Sequence, residues 1–311
     1  MLPTGTAWLC VRRCSGRQYV LVPELSRRAA LRLGASAVAG AAGIWTFGAL
    51  VDPTQVPADP SPFDPAAPAG PPAPPVAAPA PMPTKVSGSF VSAARGGILT
   101  NYVIARPPGQ IGPLRPVIAL HGVRGNAKQV MSLGVEQLLA DLVKAGRPPF
   151  AVVAVDGGDS YWHRRAGGED AGSMVLNELI PMLSTMNLDT TRVGFIGWSM
   201  GAYGAMLLGA RLGPARTAGI CAVSPALYQS YTASTLGAFD SYDDWTHNTV
   251  FGLPALSAIP LRIDCGNDDR FAPATYQFIA QLRTPPAGGF SPGGHDEAFW
   301  RQQLPGELAW L

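Results

Sequence analysis

The sequence is poor in charge, cysteine and histidine, and each scarcity removes a class of function. Charged residues are only 14% of the 311 residues and the formal net charge is +2. Neither a basic face for nucleic acid nor an acidic face for a cationic partner is indicated. Four cysteines, at positions 10, 14, 221 and 265, do not form a disulfide framework by their spacing. Cys10 and Cys14 make a C-x-x-x-C, but no nearby histidine or further cysteine completes a metal site, so neither a metal nor an organic cofactor is expected. The four histidines, at 121, 163, 247 and 295, leave few candidates for proton transfer.

Hydrophobic residues, at 47%, are plentiful and unevenly spread, and they divide the chain into three regions. Residues 1–51 hold Ser26, Arg27, Arg28, Leu31 and Arg32, followed by an uncharged, Ala/Gly-rich run from Leu33 to Val51. Paired arginines before a mildly apolar stretch resemble a twin-arginine export signal, with Ala30 where such signals often carry Phe. No small-x-small cleavage pattern follows the run. At about 1.5 Å per residue its length approaches the roughly 30 Å of bilayer hydrocarbon. The region is therefore expected to be a cleaved signal or an uncleaved membrane anchor. Arginines before it and Asp52 after it leave the N-terminus inside and the remainder outside. The export machinery that reads twin arginines is the expected partner, and the cell envelope or exterior the expected location.

Residues 52–84 carry a proline every two or three positions and almost no large apolar side chains. Such a stretch cannot bury enough surface to offset ordering, so a disordered linker of polyproline II character is predicted. At about 3.1 Å per residue it spans up to roughly 100 Å.

Residues 85–311 read as one folded domain. "SFVSAA" and "ILTNYVIA", separated by Arg95, Gly96 and Gly97, predict an antiparallel hairpin. The runs "PVIALHG", "FAVVAVDGG", "RVGFIGWS", "ICAVSP" and "LRIDCG" are nearly continuous in apolar residues and mostly separated by helix-length segments. That pattern predicts an α/β fold, a mostly parallel central sheet with helices on both faces. Functional residues gather at strand C-terminal ends in such sheets.

One such end reads "VGFIGWSMGAYGA", a strand over 192–196 running into a helix over 202–212, with Ser199 between Gly197 and Gly201. A helix-capping serine would account for the hydroxyl but not for glycine two residues away on both sides. A nucleophile elbow accounts for both, because the serine sits on a sharp, strained turn that leaves no room for a Cβ at either glycine. A serine nucleophile needs a base, and the base needs an orienting acid. His295, in "SPGGHDEAFW", follows the nucleophile at a suitable distance in the chain. The acid belongs on the loop after "LRID"; the Gly-x-x-Asp spacing from Gly266 selects Asp269, with Asp268 the alternative, while Asp264 lies inside the strand. Oxyanion donors are expected from the Met200 N–H and from Val123, just after His121-Gly122. His121 is expected to fix that loop rather than to transfer protons.

"GWSMGAYGA", "CGNDDRF" and "GGHDEAFW", with "LHGVRG" upstream, resemble the esterase D and antigen 85 branch of the α/β-hydrolases over roughly residues 86–311. The resemblance implies an α/β-hydrolase fold and a serine esterase with Ser199, Asp269 and His295 as triad and Val123 and Met200 as oxyanion donors. It implies a small-molecule or lipid ester as substrate. An acyltransferase would use the same residues, and a non-catalytic envelope protein of this fold would have lost one of them.

Two further expectations concern the walls of the site and the remaining cysteines. A lid-like insertion at about 226–259 contains Tyr228, Tyr231, Phe239, Tyr242, Trp245 and Phe251, with Tyr161, Trp162 and His163 as a second wall. Most of these aromatics are expected to pack the insertion's own small core. Cys221 and Cys265 fall near opposite ends of neighbouring strands, about three or four residues out of step, so both are expected to be free and buried.

Overall fold

The computed structural model describes residues 8–12, 17–21 and 80–311. The twin-arginine motif, the apolar run from Leu33 and the linker as far as residue 79 lie outside the described residues. Near the N-terminus, β1 (Trp8–Arg12) and β2 (Arg17–Leu21) pair antiparallel, with Trp8 opposite Leu21 and Arg12 opposite Arg17.

The remaining strands form one sheet. β3 (Lys85–Ser92) and β4 (Ile98–Ala105) make the expected antiparallel hairpin. β5 (Pro116–Leu120), β6 (Ala151–Val155), β7 (Val193–Trp198), β8 (Thr217–Val223), β9 (Leu261–Gly266) and β10 (Ala287–Ser291) run parallel. The eight lie in the order β10-β9-β8-β7-β5-β6-β4-β3. All residues of β5, β6 and β7 are buried, as unbroken apolar runs require when helices cover both faces. Each fully buried branched or aromatic side chain, such as Ile118 or Phe195, contributes about 2 kcal/mol of transfer free energy.

Alternation along the strands sends side chains into two cores. Ile118, Leu120 and Phe195 face one core, with α3, a helical run over 171–184 that is π-helical at Met174–Leu179, α4 (Met200–Leu212) and α6 (Ala272–Gln281). Val117, Ala119 and Ile196 face the other, beneath α1 (Ala127–Ser132), α2 (Val135–Lys144) and α7 (Glu297–Trp310). Among the described residues no helix is long and apolar enough to cross a membrane.

Several boundaries move from their expected places. The packed domain begins before Lys85, since the Met82 N–H donates to the Gln110 carbonyl and the Arg106 N–H to that of Thr84. β7 continues to Trp198 and α4 starts at Met200, because β5 and β8 flank β7 on both sides and keep its ladder intact to the turn. β10 was not anticipated: Gly288 and Gly289 interrupt any apolar pattern, and β10 exists only because β9 offers it an edge.

The segment between β8 and β9 contains α5 (Tyr242–Asn248) and two short 3-10 turns. Its Tyr228 and Phe239 are buried in the main core beside Tyr161 and Tyr203 rather than in a core of the insertion's own. His163, fully buried, stacks on Phe239 at 5.3 Å and points its ring nitrogens at the Arg164 and Ala238 carbonyls. Cys221 and Cys265 are free and buried. Cys221 is paired in register with Arg262, three residues short of Cys265.

Candidate active site

The strand order reverses at β5, which has β6 on one side and β7 on the other. At such a switch point the loops leaving two neighbouring strands diverge and open a crevice at the strands' C-terminal ends. Leu120 of β5 pairs with Gly197 of β7, so the two positions that follow on each strand bring Gly122 level with Ser199. A Cβ built on Gly122 would lie 3.5 Å from that of Ser199.

Ser199 occupies the turn itself, with φ 56° and ψ −118°. This is a region a side chain adopts only at a cost of about 1–3 kcal/mol and when its surroundings enforce it. Here the enforcement is backbone pairing: the Ser199 N–H donates to the Val223 carbonyl and its own carbonyl accepts from Tyr203 and Ala226. The two glycines fit for different reasons. A Cβ on Gly197 would stand 2.2 Å from the Gly201 carbonyl oxygen, within the turn. A Cβ on Gly201 would stand 1.9 Å from the Leu120 oxygen, so that glycine answers to the neighbouring strand rather than to the turn alone.

The acid and base come from the next two strand ends. β10 pairs with β9 so that Ser291 meets Gly266, and the loops leaving them interlock: Asn267 N–H donates to Ser291 and Asp268 N–H to Gly293. The result is one hydrogen-bonded row. His295 Nε2 is 2.8 Å from Ser199 Oγ, and His295 Nδ1 is 2.8 Å from Asp269 Oδ2. Asp269 is 3% exposed and Ser199 8%, while Asp268 is exposed. Burial pushes the Asp269 carboxyl up, but the bonds it accepts from His295 and from the Phe271 N–H at 2.8 Å outweigh this and hold it below the usual carboxylate value. A carboxylate so placed keeps Nδ1 protonated and leaves Nε2 free to take a proton from the serine hydroxyl. Asp264 is engaged elsewhere, forked by Arg262 at 2.6 and 3.1 Å.

Two backbone N–H groups border the serine without a backbone or side-chain acceptor among the described residues: Met200, the first residue of α4, and Val123, which lines the cavity. The Val123 loop is tied down through His121. Gly157 N–H donates to His121 Nε2 at 2.9 Å, which makes the ring the Nδ1-protonated neutral form, and Nδ1–H donates to the Gly122 carbonyl at 2.7 Å. Burial pushes the pKa of His121 below its ordinary value, consistent with a neutral ring. Arg124 N–H to Asp159 and Ala127 N–H to Asp156 add two more ties between the same loops. Tyr161 and Trp162, both at positive φ, belong to that second loop. The Trp162 indole packs edge-on against His121 at 5.1 Å.

Ser199 opens into a cavity of about 290 Å³. Besides Val123 and Tyr161, its apolar lining is Val130 and Leu133 of the α1 region, Trp198 before the serine and Trp300 of α7. Sequence reasoning assigned neither the α1 pair nor the tryptophans to the site, although Trp198 and Trp300 stand inside the quoted motifs. None of the six insertion aromatics lines this cavity; the insertion contributes Thr235, and the second wall contributes Tyr161, with Trp162 and His163 buried behind it. Among the described residues no group of three His, Cys, Asp or Glu side chains is placed to hold a metal.

No protein-family model and no curated protein matches the sequence. Among solved structures the chain is similar to the fluorophosphonate-binding serine hydrolase F of Staphylococcus aureus, at 19% identity and a TM-score of 0.61 over 73% of this chain and 97% of that one. A ferulic acid esterase matches at 18% identity and a TM-score of 0.63, over 73% and 96%. The S-formylglutathione hydrolase of Agrobacterium tumefaciens matches at 18% and 0.59, over 73% and 93%. At these identities the likeness is one of architecture, and together with the strand order and the elbow it establishes that residues 80–311 adopt the α/β-hydrolase fold.

Proposed function

We propose that this chain is a serine carboxylesterase that works through an acyl-Ser199 intermediate. The observation that carries the reading is the unbroken row Ser199–His295–Asp269, with both links at 2.8 Å. Ser199 Oγ attacks the ester carbonyl carbon while its proton passes to His295 Nε2. The carbonyl oxygen, now negative, is held by the N–H groups of Val123 and Met200. The C–O bond to the alcohol then breaks and the alcohol leaves with the proton from His295. Water repeats the sequence in the acylation's place: its proton goes to His295, its oxygen to the acyl carbon, and the acid departs as Ser199 recovers its hydrogen. Asp269 stays ionised throughout and stabilises the imidazolium. The esterase and serine-hydrolase names of the similar structures support the same chemistry.

Ser199→Ala should lower kcat for nitrophenyl esters by several orders of magnitude and abolish labelling by a fluorophosphonate, with circular dichroism unchanged. Activity near that of the parent would sink the assignment.

We further propose export by the twin-arginine route, ahead of a proline-rich spacer that sets the enzyme away from its signal or anchor. The motif around Arg27 and Arg28 supports this. Changing both to lysine keeps the charge and should strand the protein in the cytoplasm in a fractionation assay. Unaltered export of the lysine pair removes the twin-arginine claim.

A further inference from the structure

The cavity beside Ser199 carries one charge that no described residue neutralises. Arg270 directly follows Asp269; because Asp269 turns inward to His295, the next side chain is directed outward, and Arg270 is exposed. Its guanidinium carbon lies 4.9 Å from the centre of the Phe271 ring, and that ring meets His295 edge-on at 5.1 Å. The cation is thus held one aromatic ring away from the base. Arg270 makes no ion pair among the described residues. Of the carboxylates nearby, Asp269 is committed to His295, and Glu297 accepts two bonds from Arg301 at 2.6 and 2.9 Å.

Arg270 and Thr235 also line a second cavity of about 330 Å³, bounded by Leu227, Tyr228 and Pro273, so the pair forms the ridge where two hollows meet. Thr235 Oγ1 already accepts from Tyr228 Oη at 2.8 Å, and Tyr228 is bonded to Tyr161 Oη at 2.9 Å. The Thr235 proton has no acceptor among the described residues. The ridge therefore offers guanidinium and hydroxyl donors and carries no carboxylate of its own. A long neutral acyl chain laid across it would strip water from Arg270 and return nothing. An oxyanion of the substrate would meet a fork built for it.

We propose that the site selects esters bearing an anionic group, a carboxylate or a phosphate, a few atoms from the scissile carbonyl, bound by Arg270 and Thr235 where the two cavities join. This rests on Ser199 being the nucleophile of an esterase. The anion can be carried by the acyl part or by the alcohol, and paired probes separate the two. Acyl-borne charge is read by nitrophenyl adipate monoester against nitrophenyl hexanoate. Alcohol-borne charge is read by 4-carboxyphenyl butyrate against phenyl butyrate.

In at least one pair the parent enzyme should favour the anionic member by roughly tenfold in kcat/KM, the size of a charge-assisted bond at a partly screened site. Arg270→Gln should erase that ratio, with the loss carried by KM, while Arg270→Lys retains part of it. The ratio should also shrink as salt is raised. Equal kcat/KM within both pairs for the parent enzyme overturns the inference, as does an Arg270→Gln variant that slows both members of a pair alike. If neutral esters are turned over in a Ser199-dependent way without any anionic preference, only this inference falls. If Ser199→Ala retains turnover, the esterase reading falls with it.

Discussion

The two halves of the candidate site are built in different ways. The nucleophile side is a backbone device: a strand, one strained residue and a helix, with two glycines that fit because carbonyl oxygens stand where their Cβ atoms would be. The acid–base side is a side-chain device, two loops from neighbouring strand ends that bring a buried carboxylate and an imidazole together over 26 residues of sequence. The first should therefore break through volume and the second through charge.

The largest effect should come from charge. Asp269→Asn removes the group that fixes the His295 tautomer and stabilises its cation, and should lower kcat by about three to four orders of magnitude with little change in KM. Asp268→Asn, on an exposed side chain one residue away, should stay within about threefold. Steady-state kinetics on the pair decides it, and equal losses would place the acid at Asp268 instead.

Gly201→Ala tests volume. The added methyl meets two main-chain oxygens, at 1.9 Å from Leu120 and 2.7 Å from His121, and no flexible side chain can yield. The strand end or the helix must shift. A destabilisation of about 3 kcal/mol lowers the melting temperature by roughly 6–12 °C, with loss of turnover alongside. Parent-like melting would mean that the elbow is softer than its geometry implies.

A smaller effect lies on α7, the helix that leaves the His295 loop. Glu307 is fully buried and neither carboxylate oxygen has a partner among the described residues, so burial pushes its pKa well above the ordinary value. A carboxyl raised on folding stabilises the native state below its unfolded pKa and loses that contribution as pH climbs toward the folded one. Glu307→Gln, which never ionises, should match the parent near pH 4 and exceed it increasingly toward pH 8, by roughly 3 °C or more in melting temperature. A gain that is the same at every pH would show that packing, not ionisation, separates the two.

How much could be read beforehand follows the same division. The elbow was legible because Gly197, Ser199 and Gly201 lie within five residues; the spacing carries the reason for Gly197, whereas the clash that reserves Gly201 for glycine comes from the Leu120 strand and is visible only in the fold. Asp269 could be separated from Asp268 only by its distance from Gly266. The structure supplies what that spacing stands for, a loop locked onto β10 through Gly293. Strand β10 itself left no periodic trace, since half-covered glycines carry no apolar pattern. The insertion's aromatics suggested a lid with a small core of its own, yet Tyr228 and Phe239 went to the main core; aromatic content tells that a side chain will be buried, not which surface will bury it.

The sequence by itself carried the sheet's parallel run, the elbow and the candidates Ser199, His295 and Asp269 with Asp268 beside it, because strand periodicity and turn strain act through residue type at short spacing and proton chemistry narrows the residue types that can serve. Tertiary structure alone decided that α1 and α7 line the cavity, which partners and which tautomer His121 uses to hold the Val123 loop, and that Arg270 stands between two hollows with no ion pair among the described residues. These are facts of adjacency across the strand order. Strand adjacency is set by which edges close the sheet with least exposed surface, a property of the whole domain that no short stretch of chain contains.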